Sequence, residues 1–405
     1  MRLNYRRRLM VVAAVTGLAA VAGCSADSGD PGPAGTKANG KVEAQPSPTP
    51  TVDPEVGRRF TLVATGDVLL HLPVVEQAER DARRTGNGKI DFAPMMAGVK
   101  PYVSAADLGI CHMETPLGNP AGPFHGYPSF NGPPQVVPAL KDAGYDLCST
   151  ASNHTFDQGA GGVKRTLNAL DAADIKHAGS SRTPAESRRI TQVKANGVRV
   201  AFLSYAFGFN GNSYHGARPW QANLIDKTKI LADAKRARAQ GAQVVVLAMH
   251  WGTEYYQKPD AKQLALAPAL ARSGVIDLII SHHAHVVEPV QKIGRTWVVY
   301  GLGNMIANHS TPGATNSEGL LVQFTFTKTK GKRFLATKAE YVPLMMTDHA
   351  PLRLLDVQHA LDSGKYSEAG QTRLRAALQR TSGVVESRGG PKRGLVQAAY
   401  PEAAS

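Results

Sequence analysis

Short apolar runs rich in β-branched residues constrain this chain more than any other feature. They occupy residues 60–65, 107–111, 145–149, 198–205, 242–249, 275–281 and 296–300. Most are near-continuous rather than alternating, the pattern of strands covered on both faces. Amphipathic helical stretches lie between several of them, at 134–143, 160–173, 227–240 and 261–273. Strands alternating with helices specify an α/β domain with a substantially parallel sheet. Two later runs, 318–327 and 334–344, read as strands with no helix between them, and a helical stretch at 366–382 closes the domain. Of the 405 residues 42% are hydrophobic, so a large buried core is expected and global disorder is not.

The N-terminus reads as an export signal. Residues 1–8 are basic, and residues 9–22 are small and apolar but too few to span a bilayer. The stretch ends in Val21-Ala22-Gly23-Cys24, which resembles a lipobox, so Cys24 is the expected lipidation site. Arg6-Arg7-Arg8-Leu9-Met10 also resembles a twin-arginine signal, although Sec signals carry arginine runs too. The expected organisation is a signal peptide over 1–23, a flexible Pro/Gly/Ser-rich tether over 24–57, a folded domain over 58–382 and a disordered tail over 383–405. That places the protein outside the cytoplasm, held at the cell membrane by a lipid. Disulfides are allowed there, so Cys111 and Cys148 either pair or stay as two buried free thiols, the reading slightly favoured by the sequence.

The formal net charge of +14 favours anionic partners, and part of it, Arg2, Arg6, Arg7 and Arg8, sits in the signal segment. No Lys/Arg run carries interleaved aromatics and no nucleic-acid motif is present, so no nucleic-acid partner is expected.

Polar residues recur where the strands end. Thr65-Gly66-Asp67 follows the first run and His112-Met113-Glu114-Thr115 the second. Ser152-Asn153-His154, with Asp157 and Gly159, follows the third. Later come His250-Trp251-Gly252, His282-His283-Ala284-His285 and Gly303-Asn304. In an open α/β sheet the carboxyl ends of the strands are the ligand-binding edge. Each residue alone has a bland explanation as a cap, a turn residue or a core histidine. Together they form a donor set of carboxylate, carboxamide and imidazole without thiolate, which suits Mn, Fe(II) or Zn. A carboxylate can bridge two such ions, and a His-x-His pair can serve both.

The segments TLVATGD, HMETPLG, SNHTFDQG, LAMHWGTEY, SHHAHVVEPV and VYGLGN resemble, in order and spacing, the CapA family of capsule or poly-γ-glutamate synthesis proteins. That family lies within the calcineurin-like metallophosphatase superfamily. The resemblance covers roughly residues 60–310 and implies a four-layer α/β/β/α sandwich. It also implies one or two divalent metal ions and work at the cell envelope on an anionic, glutamate-containing polymer, with a membrane-bound polymer synthesis complex as a partner. By position, Asp67 and His285 resemble ligands of a first metal, Glu114 a bridging carboxylate, and Asn153, His250 and His283 ligands of a second. His154 resembles the non-ligand histidine that protonates a leaving group, oriented by Asp157. His282 is adjacent and less expected as a ligand. The main departure is Leu69, which stands where phosphatases of the superfamily have a histidine ligand; His71 would have to replace it. His112, Ser152, Ser281, Glu288 and Met305 are further departures, none at an expected ligand.

Two functions follow: a surface hydrolase cleaving or transferring amide or phosphoester bonds in an envelope polymer, or a non-catalytic tethering or export subunit with a structural metal. Both need the anchor. Replacing Cys24 with Ala should release the protein from the membrane fraction or leave it unprocessed. A variant that fractionates and matures like wild type on immunoblots would remove the lipoprotein assignment.

Overall fold

A computed structural model describes residues 56–212, 214–309, 315–331 and 333–401. The signal peptide, Cys24 and the tether up to residue 55 lie outside the described residues. The chain opens with β1 (Arg59–Val68), α1 (Leu72–Thr85), α2 (Lys100–Ala105), β2 (Leu108–Met113), α3 (Val136–Ala143), β3 (Tyr145–Ser149), α4 (Gly159–Ala172) and β4 (Lys176–Ala178). The middle comprises α5 (Pro184–Ser187), β5 (Thr191–Ala195), β6 (Val198–Ala206), α6 (Tyr214–Ala217), α7 (Lys227–Ala239), β7 (Val244–Trp251), α8 (Ala261–Ala271) and β8 (Leu278–His283). It continues with β9 (Val290–Ile293), β10 (Thr296–Val299), β11 (Asn304–Ile306), β12 (Glu318–Lys328) and β13 (Phe334–Met346). The chain closes with β14 (Leu354–Asp356), α9 (Val357–Asp362), α10 (Glu368–Glu386) and β15 (Leu395–Gln397).

The strands form two sheets rather than one. The larger runs β14-β13-β12-β1-β2-β3-β4, with β11 added at β1 and β15 at β13. The smaller runs β5-β6-β7-β8-β10-β9. Each has a parallel centre, β1 to β4 in one and β6-β7-β8-β10 in the other, flanked by antiparallel strands.

Side-chain alternation explains why the runs are apolar throughout. On β7, Val244, Val246 and Ala248 face the core between the sheets, while Val245, Leu247 and Met249 face α7 and α8. On β1, Phe60, Leu62 and Ala64 enter the same inter-sheet core, and Val63 faces the helices on the other side. Those helices present Val74 and Ala78 from α1, Leu140 from α3, and Leu167 and Leu170 from α4. The layers are therefore α/β/β/α, as the resemblance implies. Helix ends are set by local chemistry: Asp260 and Gln263 form a reciprocal capping box on α8, and Asp226 caps α7.

Two expectations change, and one helix is new. Cys111 and Cys148 form a disulfide instead of staying free, because they are register partners on adjacent strands, with Cα atoms 4.5 Å apart. The chain beyond residue 382 is not a disordered tail as far as residue 401. Helix α10 continues to Glu386, and β15 pairs parallel with β13 through Leu395, Val396 and Gln397. A three-residue strand is too short to show periodicity. Helix α1 also escaped notice: its N-terminal His71 makes no side-chain cap, and Gln77 and Asp81 break its apolar face. Both are buried, Asp81 by a bidentate pair with Arg353 at 2.7 and 2.9 Å.

Val385 and Leu395 both enter the inter-sheet core. Burial of such side chains contributes about 1.5–3 kcal/mol each. Ending the chain at residue 382 should therefore cost several kcal/mol and lower the melting temperature by at least about 5 °C. Calorimetry showing an unchanged midpoint would mean that the C-terminal segment does not stabilise the domain.

Candidate metal centre

The parallel strands of both sheets deliver their carboxyl ends to one place. Register lines up Asp67, His112 and Ser149 across β1, β2 and β3, and Ala206, His250 and His282 across β6, β7 and β8. The two rows meet through side chains. His282 Nδ1 lies 3.0 Å from Asp67 Oδ1, and His112 Nε2 lies 3.0 Å from His250 Nδ1. The His112 and His282 rings stack at 4.1 Å. Gly66 permits one further approach: a Cβ there would lie 2.0 Å from the Gly303 carbonyl oxygen. Only glycine lets the loop before Asn304 settle beside Asp67, its register partner.

All six expected ligands are gathered and buried. Ligand atoms of Asp67, Glu114 and His285 lie within 4.8 Å of one another, as do those of Glu114, His250 and His283. Glu114 belongs to both groups, the position of a bridging carboxylate. Asn153 Oδ1 sits 2.9 Å from His250 Nε2. The imidazoles are aimed by unusual backbone: His283 has φ of 94° and His285 of 56°, the left-handed region. Each such residue costs of order 1–3 kcal/mol and persists where its surroundings demand it.

The electrostatics call for a cation. Both Glu114 carboxylate oxygens are buried without a hydrogen-bond partner. Burial pushes this carboxyl well above its ordinary range, and the charge of His285 offsets that only in part. Asp67 goes the other way: burial opposes its ionisation, but hydrogen bonds and charge from His282 and His285 hold it well below the carboxylate range. Burial drives His283 down to about 3, with repulsion from His285 adding to it. Burial and the neighbouring imidazoles likewise keep His250 and His112 well below the usual histidine range. These rings are neutral lone-pair donors at any physiological pH. His285 is the exception: burial lowers it, yet Glu114 and Asp67 raise it to about 9. Two buried carboxylates among imidazole nitrogens fit a divalent ion, with His250 and His283 already neutral donors.

His154 stands apart from the ligands, in a cleft of about 590 Å³ that opens over the centre. Asp157 Oδ2 lies 2.7 Å from its Nδ1 and also accepts the Phe130 N–H at 2.8 Å. Nδ1 is thereby engaged, which leaves Nε2 for the cleft. Leu69 does not approach as a ligand; it packs in a small apolar cluster with Phe130 and Ala307. His71 lines the cleft, its Nδ1 accepting the Asn308 N–H at 3.2 Å.

Sequence reasoning underweighted His112 and His282, now seen to join the two rows, and missed His309. The His309 ring lies 5.3 Å from that of His285, and its Nε2 is 3.0 Å from Asn304 Nδ2. No strand-end pattern marks residue 309; folding of the following loop carries it there.

A model of the family described as bacterial capsule synthesis protein PGA_cap matches residues 61–309. The chain belongs to this family. Among the relatives of this PGA_cap protein, the capsule biosynthesis protein CapA of Bacillus anthracis is 31% identical over 234 residues, 57% of this chain and 54% of that protein. The PGA biosynthesis protein CapA of Bacillus subtilis is 32% identical over 205 residues, 50% of this chain and 53% of that protein. The chain thus spans about half the length of these relatives. Among solved structures, a novel phosphatase from Mycoplasma pneumoniae aligns over 71% of this chain and 94% of its own, at 12% identity and a TM-score of 0.40. Likeness at that level fixes neither chemistry nor substrate.

The ionisation pattern carries a signed consequence. Below pH 9 His285 of the metal-free PGA_cap protein holds a proton that a metal must displace. Affinity for Mn²⁺ or Zn²⁺ should rise with pH between about 7 and 9, by up to about tenfold per unit for each proton released. Calorimetry in buffers of different ionisation enthalpy should count at least one proton released at pH 7. Binding that is independent of pH across this range would contradict the arrangement.

Proposed function

We propose that this PGA_cap protein is an extracytoplasmic lipoprotein that acts on an anionic, poly-γ-glutamate-like envelope polymer as a divalent-metal-dependent hydrolase. The observation that carries the reading is Glu114, buried with both oxygens unpaired between the neutral imidazoles of His250 and His283 and the imidazole of His285, with a positioned histidine beside it. The names of the relatives support the polymer, the lipobox at Cys24 supports the location, and the net positive charge favours an acidic chain. A membrane-bound synthesis complex is the partner this implies.

Asp67, Glu114 and His285 would hold one ion, and Glu114, Asn153, His250 and His283 a second, with Mn, Fe and Zn all compatible. When bound, the metal supplies Lewis acidity toward a carbonyl or phosphoryl oxygen and a more acidic water. The chain's own part is positioning and proton transfer. Asp157 fixes the His154 ring, so its Nε2 can deliver a proton to a leaving amine or alkoxide in the cleft. Tyr127, Tyr255 and Phe130 give that cleft aromatic walls. The tethering alternative has one observation in its favour: the buried apolar setting of Leu69, where a ligand would otherwise stand.

His154→Ala separates the two readings. It should keep wild-type metal content while lowering hydrolysis of poly-γ-glutamate, or of the amide or phosphoester that proves to be turned over, by roughly 10²–10⁴-fold. His250→Ala should lose most of its metal. A metal-loaded wild-type protein that turns over none of these substrates, with His154→Ala supporting envelope polymer retention in cells as well as wild type, would leave the tethering reading standing.

A further inference from the structure

The HWGTEY segment contributes more than His250. β7 ends at Trp251, one residue after His250, and Gly252 then turns the chain with φ of 102°. A Cβ at that position would lie 3.0 Å from Gln263 Nε2, the side chain held by the α8 capping box. The loop then places Tyr255 in the left-handed region as well, with φ of 65°. The Tyr255 N–H donates to the Ala284 carbonyl at 2.7 Å, which ties this loop to the residue between His283 and His285. Three non-glycine residues in the left-handed region, Tyr255, His283 and His285, therefore meet at one backbone hydrogen bond. Strain concentrated in this way marks a place where side-chain direction is enforced.

The side chain so directed is Glu254. Its Oε1 lies 4.0 Å from His283 Nδ1. That is too long for a hydrogen bond, and His283 Nδ1 is buried without any hydrogen-bond partner. Ligand atoms of Glu254, His283 and His285 nevertheless fall within 4.8 Å of one another. Atoms that share one ion at about 2.1 Å each can be no more than about 4.2 Å apart. The 4.0 Å gap between Glu254 and His283 thus lies within the span that one shared cation allows. Glu254 also borders the cleft, the only carboxylate among its described lining residues, with its side chain 42% exposed.

We propose that Glu254 is a metal ligand: with His283 and His285 it closes the metal centre from the cleft side. The proposal rests on the reading of the site as a metal centre and adds a carboxylate that the resemblance does not assign. An unpaired carboxylate at the mouth would repel an anionic polymer, and sharing it with a divalent ion weakens that repulsion.

The test uses purified full-length protein, Mn²⁺ for affinity and Co²⁺ for spectroscopy. Glu254→Gln keeps the size of an exposed side chain, so the metal-free variant should melt with wild type. Its Mn²⁺ affinity should fall by at least about tenfold, and the visible bands of the Co²⁺-loaded form should shift in position and intensity. Glu254→Asp should recover part of the affinity. If Glu254→Gln weakens Mn²⁺ but leaves the Co²⁺ spectrum unchanged, Glu254 acts only as a nearby charge and ligation is wrong. If affinity and spectrum both match wild type, the proposal is wrong while the metal centre stands. Wild-type protein that binds neither ion would sink the centre and this ligand together.

Discussion

Two buried carboxylates, Asp67 and Glu114, impose the condition that the rest of the site satisfies. Removing an ionised carboxylate from water costs several kcal/mol even after the protein relaxes. Asp67 meets that cost with His282 at 3.0 Å and His285 at 3.1 Å. Glu114 has no comparable partner, its nearest imidazole nitrogens standing 3.7 and 3.9 Å away. At those distances the imidazoles flank a space rather than donate into the carboxylate. The architecture therefore holds donors apart at a spacing that suits a cation and suits little else.

Such spacing needs a stiff frame. Each sheet is clamped on both faces, by the inter-sheet core on one side and by helices on the other. Strand ends in a close-packed interior move little. The backbone is in the left-handed region at His283, His285 and Tyr255, and the Tyr255 N–H donating to the Ala284 carbonyl ties these two segments together. The disulfide between Cys111 and Cys148 adds a covalent tie between β2 and β3 next to His112 and Ser149. On the open side the frame gives way to a cleft walled by Tyr127, Phe130 and Tyr255, with His154 and Glu254 at its edges.

Much of this was legible in the chain itself. Near-continuous apolar runs such as 242–249 fit strands buried on both faces, and the polar residues after most of the runs marked the binding edge. All six expected ligands could be named because they are local: each sits within a few residues of a strand end. The residues that escaped were those whose role is a contact across the fold. His282 looked like the less useful neighbour of His283, but the pairing of β7 with β8 turns it to Asp67. His112 looked like a substitution, but it joins the two sheets through His250. Glu254 lay in a quoted motif with no role, since its direction depends on a backbone strain that composition does not reveal.

By itself, the sequence determined the alternation of strands and helices and the chemical kind of the donor set, because each is written in local periodicity or residue type. Tertiary structure alone decided that the strands divide into two sheets, that the cysteines bond, that residues 383–401 join the core, and which imidazoles face which carboxylate. Those outcomes depend on register between segments up to more than two hundred residues apart, as with Asp67 and His282. Register is set by the packing of whole faces, and no local stretch of chain carries that information.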